Sequence, residues 1–295
     1  MLTRLARDNL KLLESGILSD VTIVCKKRVW KAHKVILCAR SEWFTKALTG
    51  NWKESIDGKI TFDDMDPDTM DIVLKYLYSD VISLITEDEN LKLEAYVHLW
   101  IHADFFQLDL LKYEALEGLR ESFVDTACQL WTFRVVKRML QRSKIGWIHD
   151  KAENLELFND HLIHAVKLAY GNPAAREIQK TLTACVYALS TDIAKGDHLK
   201  PCIAQNPDFK ADLLAILAGM QFDTEFRETK ASDILEIRRL GREWKCEDCD
   251  CTLETKPKKT QMVIVNPMSM GKNGWCLDCG REKLESCIED VVKLM

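Results

Sequence analysis

The chain has 295 residues and a mass of 34.0 kDa, room for two or three modules, with the 47% hydrophobic and 29% charged content of an ordinary globular protein. A formal net charge of −5 and a pI near 5.9 argue against a nucleic-acid or anionic-membrane partner for the chain as a whole. No apolar run approaches the roughly 18 residues needed to span a bilayer.

The N-terminal segment mixes Arg4, Arg7, Asp8 and Lys11 with leucines, so it is expected as an amphipathic helix and not a secretory signal. Eleven cysteines, an odd count without such a signal, point to a reducing compartment with thiols that are buried, free or metal-bound. Between Asp20 and Cys25, Val21, Ile23 and Cys25 share one face and Val24 is also apolar, the pattern of a largely buried strand. Lys26-Lys27-Arg28 turns the chain, and Val29, Trp30 and Ala32 start the second arm of a hairpin. From His33 the apolar period lengthens, which predicts two short helices meeting near Arg40-Ser41, with Ser41 as an N-cap. Lys59 to Phe62 reads as a third strand. Asp66-Pro67 then opens a helix with proline at its first position and Met70, Val73, Leu74 and Leu77 on one face.

Taken in order, S-D-x-T-I-x-C, K-A-H-K-V-x-L-x-A-x-S-x-x-F, G-x-W-K-E and the helix ending Y-L-Y-S resemble the BTB (POZ) domain. The resemblance runs from about Leu5 to Phe123 and includes Val97 to Leu111. It implies an α+β fold, a small sheet flanked by a helical bundle, whose exterior binds other proteins.

After this BTB-like domain (residues 1–124) the sequence predicts an all-α region (125–240). Gly171-Asn172-Pro173, Gly196-Asp197 and Asn206-Pro207-Asp208 punctuate it at helix-loop-helix spacing. It resembles the helical extension that follows many BTB domains. Arg142 to Lys151 is a polar interruption, and Gln221 to Lys230 reads as a linker or an exposed helix. The last segment (241–295) is expected as a small zinc-ribbon or treble-clef-like module ending in an amphipathic helix.

That module carries the strongest chemical signal. Cys246-x2-Cys249 and Cys276-x2-Cys279 are two knuckles separated by 26 residues, able to close a four-sulfur zinc site. Free thiols, with one pair acting as a redox couple, are the rival reading. Cys251 is an alternative to Cys249, giving a C-x4-C pair, and Cys287 reads as a core contact. A site closed by four protein sulfurs leaves no position for substrate, so the zinc is expected to be structural.

Two further sets of residues follow from the resemblance. Trp52 and Glu54 match the hydrophobic-x-Glu element with which several BTB adaptors contact the cullin scaffold of RING ubiquitin ligases. Asp20 and Lys34 occupy positions where BTB dimers keep a charged pair; capping within the monomer is the alternative. The predicted first helix leaves no room for the strand that dimeric members exchange. Any self-association is therefore expected through the surface of Leu5, Leu10, Leu12 and Leu13. His33 reads as a core histidine bonded to backbone.

No motif supports an enzyme. Cys128 with His149, His161 or His164 lacks a nucleophile signature, and His161 with His164 lacks a third metal ligand. Direct nucleic-acid binding is disfavoured because nine basic and ten acidic residues from Leu240 to Met295 leave no basic face. The expectation is a non-enzymatic interaction scaffold in nucleus or cytoplasm. Its two forms are a cullin-ligase substrate adaptor and a transcription or chromatin regulator using the zinc module.

Overall fold

The computed structural model describes residues 4–81, 92–140, 148–188, 199–219, 244–246, 248–249, 252–253, 263–265 and 274–295. Packing divides the chain into two compact units, Met1–Gly118 and Leu119–Met295.

The first unit begins with α1 (Arg4–Ser15) and the hairpin β1 (Val21–Cys25) and β2 (Arg28–Ala32), turned at Lys26-Lys27. Helices α2 (Lys34–Arg40), α3 (Glu42–Thr49) and α4 (Lys53–Asp57) follow, then β3 (Lys59–Phe62). β3 pairs parallel to β1 on the side away from β2, giving the order β2-β1-β3. β1 is thus the central strand, and Val21, Ile23 and Cys25 are buried on one face, as their alternation requires.

Helix boundaries follow local chemistry. Ser41 adopts extended backbone between α2 and α3; its hydroxyl accepts from the Phe44 N–H at 3.3 Å and donates to the Phe106 carbonyl at 2.8 Å. Gly58 closes α4 in the left-handed conformation, φ +57°, and leads directly into β3. α5 (Pro67–Ser79) starts where the Asp66 carboxylate accepts from the Thr69 N–H at 2.8 Å, and it buries Met70, Val73, Leu74 and Leu77. α6 (Lys92–Phe105) precedes α7 (Asp109–Leu140). Gly118 of α7 lies so close to the Tyr96 ring of α6 that any Cβ there would overlap it.

α7 is one continuous helix, so the sequence boundary between residues 124 and 125 falls inside it. The second unit contains its C-terminal part, then α8 (Ile148–Tyr170), α9 (Arg176–Ala188), α10 (Leu199–Gln205) and α11 (Pro207–Gly219). Two short antiparallel ribbons follow, β4 (Trp244–Lys245) with β5 (Thr252–Leu253) and β6 (Val263–Val265) with β7 (Gly274–Cys276), before α12 (Leu277–Leu294). α9 packs against α8, α11 and α12 and is buried along nearly its whole length from Ile178 to Val186. α12 supplies Leu284, Cys287, Ile288 and Val291 to the same core. The helical stretch and the cysteine-rich tail, read separately in sequence, therefore share one unit. Its polar centre is Asp212, which accepts from the Tyr170 hydroxyl at 2.6 Å and from both terminal nitrogens of Arg176 at 2.5 and 2.7 Å. Residues 220–243, including the Gln221 to Lys230 segment, and 141–147 lie outside the described residues.

Candidate partner face and candidate metal centre

α3 ends at Gly50, and the chain bends through Trp52 into the single turn of α4. A Cβ at position 50 would stand 2.8 Å from Trp52 Cδ1 and 3.1 Å from the Lys46 carbonyl, so any side chain there displaces the indole. The indole is therefore seated over Gly50, yet Trp52 remains 64% exposed. It borders a shallow groove of about 470 Å³ whose apolar lining comes from Trp43, Ile60, Phe62 and Phe105. Trp43 makes ring contacts with Phe62 at 5.6 Å and with Phe105 at 5.1 Å, which stiffens the floor.

Two charges, Lys46 and Glu54, also line the groove. Lys46 is held by Glu42 at 3.5 Å and Gln107 at 3.4 Å. Glu54 has no ion-pair partner among the described residues. The sequence singled out Trp52 and Glu54, and the structure brings them to the same groove. It missed the aromatic floor, whose members lie up to 62 residues apart (Trp43 to Phe105) and carry no local signature beyond being aromatic.

Asp20 and Lys34 meet through the backbone. Asp20 Oδ1 accepts from the Lys34 N–H at 2.7 Å, at the start of α2, while the Lys34 ammonium donates to the Ser55 carbonyl at 3.3 Å. Next to them, His33 is 6% exposed and bridges the Ile17 carbonyl (Nε2, 2.7 Å) and the Tyr78 hydroxyl (Nδ1, 2.8 Å). Burial pushes the Tyr78 phenol up to about 12. The bridge pins the loop between α1 and β1 against α5.

In the second unit the sulfurs of Cys246, Cys249, Cys276 and Cys279 all lie within 4.8 Å of one another. Cys249 and Cys276 are 3.9 Å apart, far beyond the roughly 2.05 Å of a disulfide. A tetrahedral site with Zn–S bonds of about 2.3 Å has edges of about 3.8 Å, so the spacing suits four ligands around one ion. Cys276 is also the N-cap residue of α12, and its N–H donates to Cys246 Sγ at 3.4 Å.

The thiols perturb one another. Burial pushes the Cys246 thiol up, but the N–H groups of Cys249, Cys276 and Asp248 outweigh it and hold the pKa at about 6. Cys279 is driven in the opposite direction by the neighbouring Cys276 sulfur first, then by burial and the other sulfurs. Four sulfurs this close compete for protons with one another, and a divalent ion would stabilise them all as thiolates. The surrounding core is small, with Cys246 and Trp275 buried and Cys276 and Cys279 packed on them. The four residues fit a metal ion.

Cys251 and the side chains of Cys128 and His149 lie outside the described residues. His161 is buried and His164 exposed, and among the described residues the four cysteines alone form a metal-capable group. Cys287 is 6% exposed in the α12 core.

Residues 10–123 match the family model of the BTB/POZ domain. The N-terminal fold is a BTB/POZ fold. Kelch repeat and BTB domain-containing protein 4 is 26% identical over 240 residues in both Macaca fascicularis and Homo sapiens, covering 81% of this chain. The chain spans only 38% and 39% of those relatives. BTB/POZ domain-containing protein 9 of Bos taurus is 36% identical over 76 residues, 25% of this chain and 12% of that protein. Among solved structures, the BTB domain of zebrafish PATZ1 is 19% identical, with a TM-score of 0.32, covering 38% of this chain and 85% of that one. The groove at Trp52 and the His33 bridge both lie within the BTB domain, and the cysteine centre lies outside it.

Proposed function

We propose that the chain is a non-enzymatic adaptor. Its BTB domain engages a cullin scaffold through Trp52 and Glu54, and its second unit engages a protein to be presented to the ligase. The observation that carries this reading is the exposed indole beside an unpaired carboxylate at the rim of an aromatic groove. An anchor aromatic that a partner desolvates, flanked by a charge, is how interfaces concentrate their affinity. Full-length protein mixed with a tagged cullin should co-elute at micromolar concentration. Glu54→Lys should weaken the complex at least about tenfold, since reversing a charge across a contact costs more than deleting it. Absence of any complex with the unmodified chain would remove the adaptor reading.

The cysteine centre holds one zinc ion in this reading, bound by Cys246, Cys249, Cys276 and Cys279. A zinc ion there supplies structure: it neutralises crowded thiolates and leaves no coordination position for a substrate. Cys276 joins the ion to the first turn of α12, and Lys283 of α12 is tied to Asp248 of the first knuckle at 2.6 Å. The near-balanced charge of the tail speaks against the nucleic-acid alternative.

Self-association through the BTB domain is a second reading, but not through the expected leucine surface, since Leu13 is buried and Leu10 and Leu12 are half-buried. It is favoured by apolar side chains left in solvent on α1, the following loop and α2. Leu5 is 69% exposed, Ile17 61%, Leu18 87% and Val35 75%. Leu18 is also held at φ +61°, a costly conformation for leucine. Sedimentation equilibrium should show a dimer that Leu18→Lys converts to monomer; a monomer at tens of micromolar removes the idea.

A further inference from the structure

Ile60, Thr61 and Phe62, three consecutive residues of β3, all line the groove beside Trp52. Side chains alternate faces along a strand. A groove touching three in a row therefore meets β3 along its edge and not on one face. β1 occupies the opposite edge. There the Thr22 N–H donates to the Gly58 carbonyl at 2.8 Å and the Lys26 N–H to the Phe62 carbonyl at 3.2 Å.

Gly58 and Phe62 thus direct their carbonyls at β1, and the intervening Ile60 does the same by the two-residue period. The backbone groups of Lys59 and Thr61, out of phase by one, point away from β1. Both residues are exposed, and among the described residues no strand pairs with that side of β3. An unpaired N–H and C=O beside an apolar trough make a template for one more strand.

We propose that the free edge of β3 takes an extended segment of a partner protein as a fourth strand. Its main chain pairs with Thr61, its apolar side chains enter the trough of Trp43, Phe62 and Phe105, and a lysine or arginine meets Glu54. Of the two charges that line the groove, Glu54 has no ion-pair partner among the described residues, whereas Lys46 is already held by Glu42 and Gln107, so the groove itself favours a basic residue. Lys59 at the start of the strand opposes pairing with the same edge of a second copy. The inference rests on reading the groove as a partner face and adds the form of the chain that enters it.

The probe is a blocked heptapeptide alternating lysine with valine and phenylalanine, titrated against the full-length protein by fluorescence anisotropy. Binding in the range of 1 to 100 micromolar is expected, as is slowed hydrogen exchange at the Thr61 amide. N-methylation of the central peptide amides should weaken binding about tenfold or more, because it deletes a ladder bond. Thr61→Pro should do the same, at a position where an edge strand tolerates proline; a far-ultraviolet spectrum like that of the unmodified chain confirms that it folds. No binding at 1 millimolar, or binding indifferent to both N-methylation and Thr61→Pro, overturns strand addition. If a cullin complex then still responds to Glu54→Lys, the partner face survives without strand addition. If neither probe responds, both readings fall.

Discussion

Replacing Cys276 with serine is expected to abolish stoichiometric zinc and to lower the melting temperature of the full chain by about 10 °C. The magnitude follows from where the residue sits. Cys276 is both a member of the sulfur cluster and the N-cap residue of α12, and α12 buries Leu284, Cys287, Ile288 and Val291 against the core around α9. Full burial of such side chains contributes roughly 1.5–3 kcal/mol each, so partial release of the helix costs about 4 kcal/mol. For a unit of this size each kcal/mol moves the midpoint by about 2–4 °C. The ion pairs Arg281–Asp125 at 2.6 Å and Arg120–Glu289 at 3.6 Å are too exposed or too long to hold α12 alone. Cys249→Ser should behave alike and Cys251→Ser should leave the ion bound. Metal analysis by mass spectrometry and calorimetry, with and without chelator, decide it. A Cys276→Ser protein retaining one ion per chain and an unchanged midpoint would falsify the ligand set.

The second large effect is loss of stability in mild acid, centred on His102. This residue is 4% exposed; its Nδ1 bonds the His98 carbonyl at 2.9 Å, and Nε2 has no partner among the described residues. Burial holds its pKa down at about 4; the His98 carbonyl and Asp66 only partly oppose this, and His98 itself works in the same direction as burial. His98 is also depressed, again chiefly by burial. Both rings are neutral when folded, so the unfolded chain takes up protons first as the pH falls. The stabilisation is complete above about pH 6.5 and is lost between there and about pH 4, by roughly 3 kcal/mol for His102. Urea midpoints should fall through that window. His102→Phe should flatten the decline, whatever it does to stability at neutral pH. An unchanged slope would place the acid sensitivity elsewhere.

Much of the first unit was legible because its signals are local. The alternation of Val21, Ile23 and Cys25, the Ser41 and Asp66 caps, and the four apolar positions of α5 each depend on neighbours within a few residues. The two C-x2-C pairs were legible for the same reason, since a knuckle is set by its own spacing, and the closure of the two into one cluster followed. What could not be read is what the chain brings together from afar. Nothing near Lys59 announces that β3 pairs parallel to β1, and nothing links Phe105 to Trp43 before the helices pack. The continuity of α7 escaped because Asp125 looks like a helix start when only its neighbours are considered. The buried state of His102 escaped because a histidine in an apolar run has the same letters whether it faces solvent or core.

The seat of Trp52 carries a last implication. This exposed ring rests on a residue with no side chain, so its aim is set by an absence. A single methyl at position 50 would swing the indole while leaving every contact-forming group chemically intact. Partner preference on this face can therefore drift through a neighbour that no partner touches.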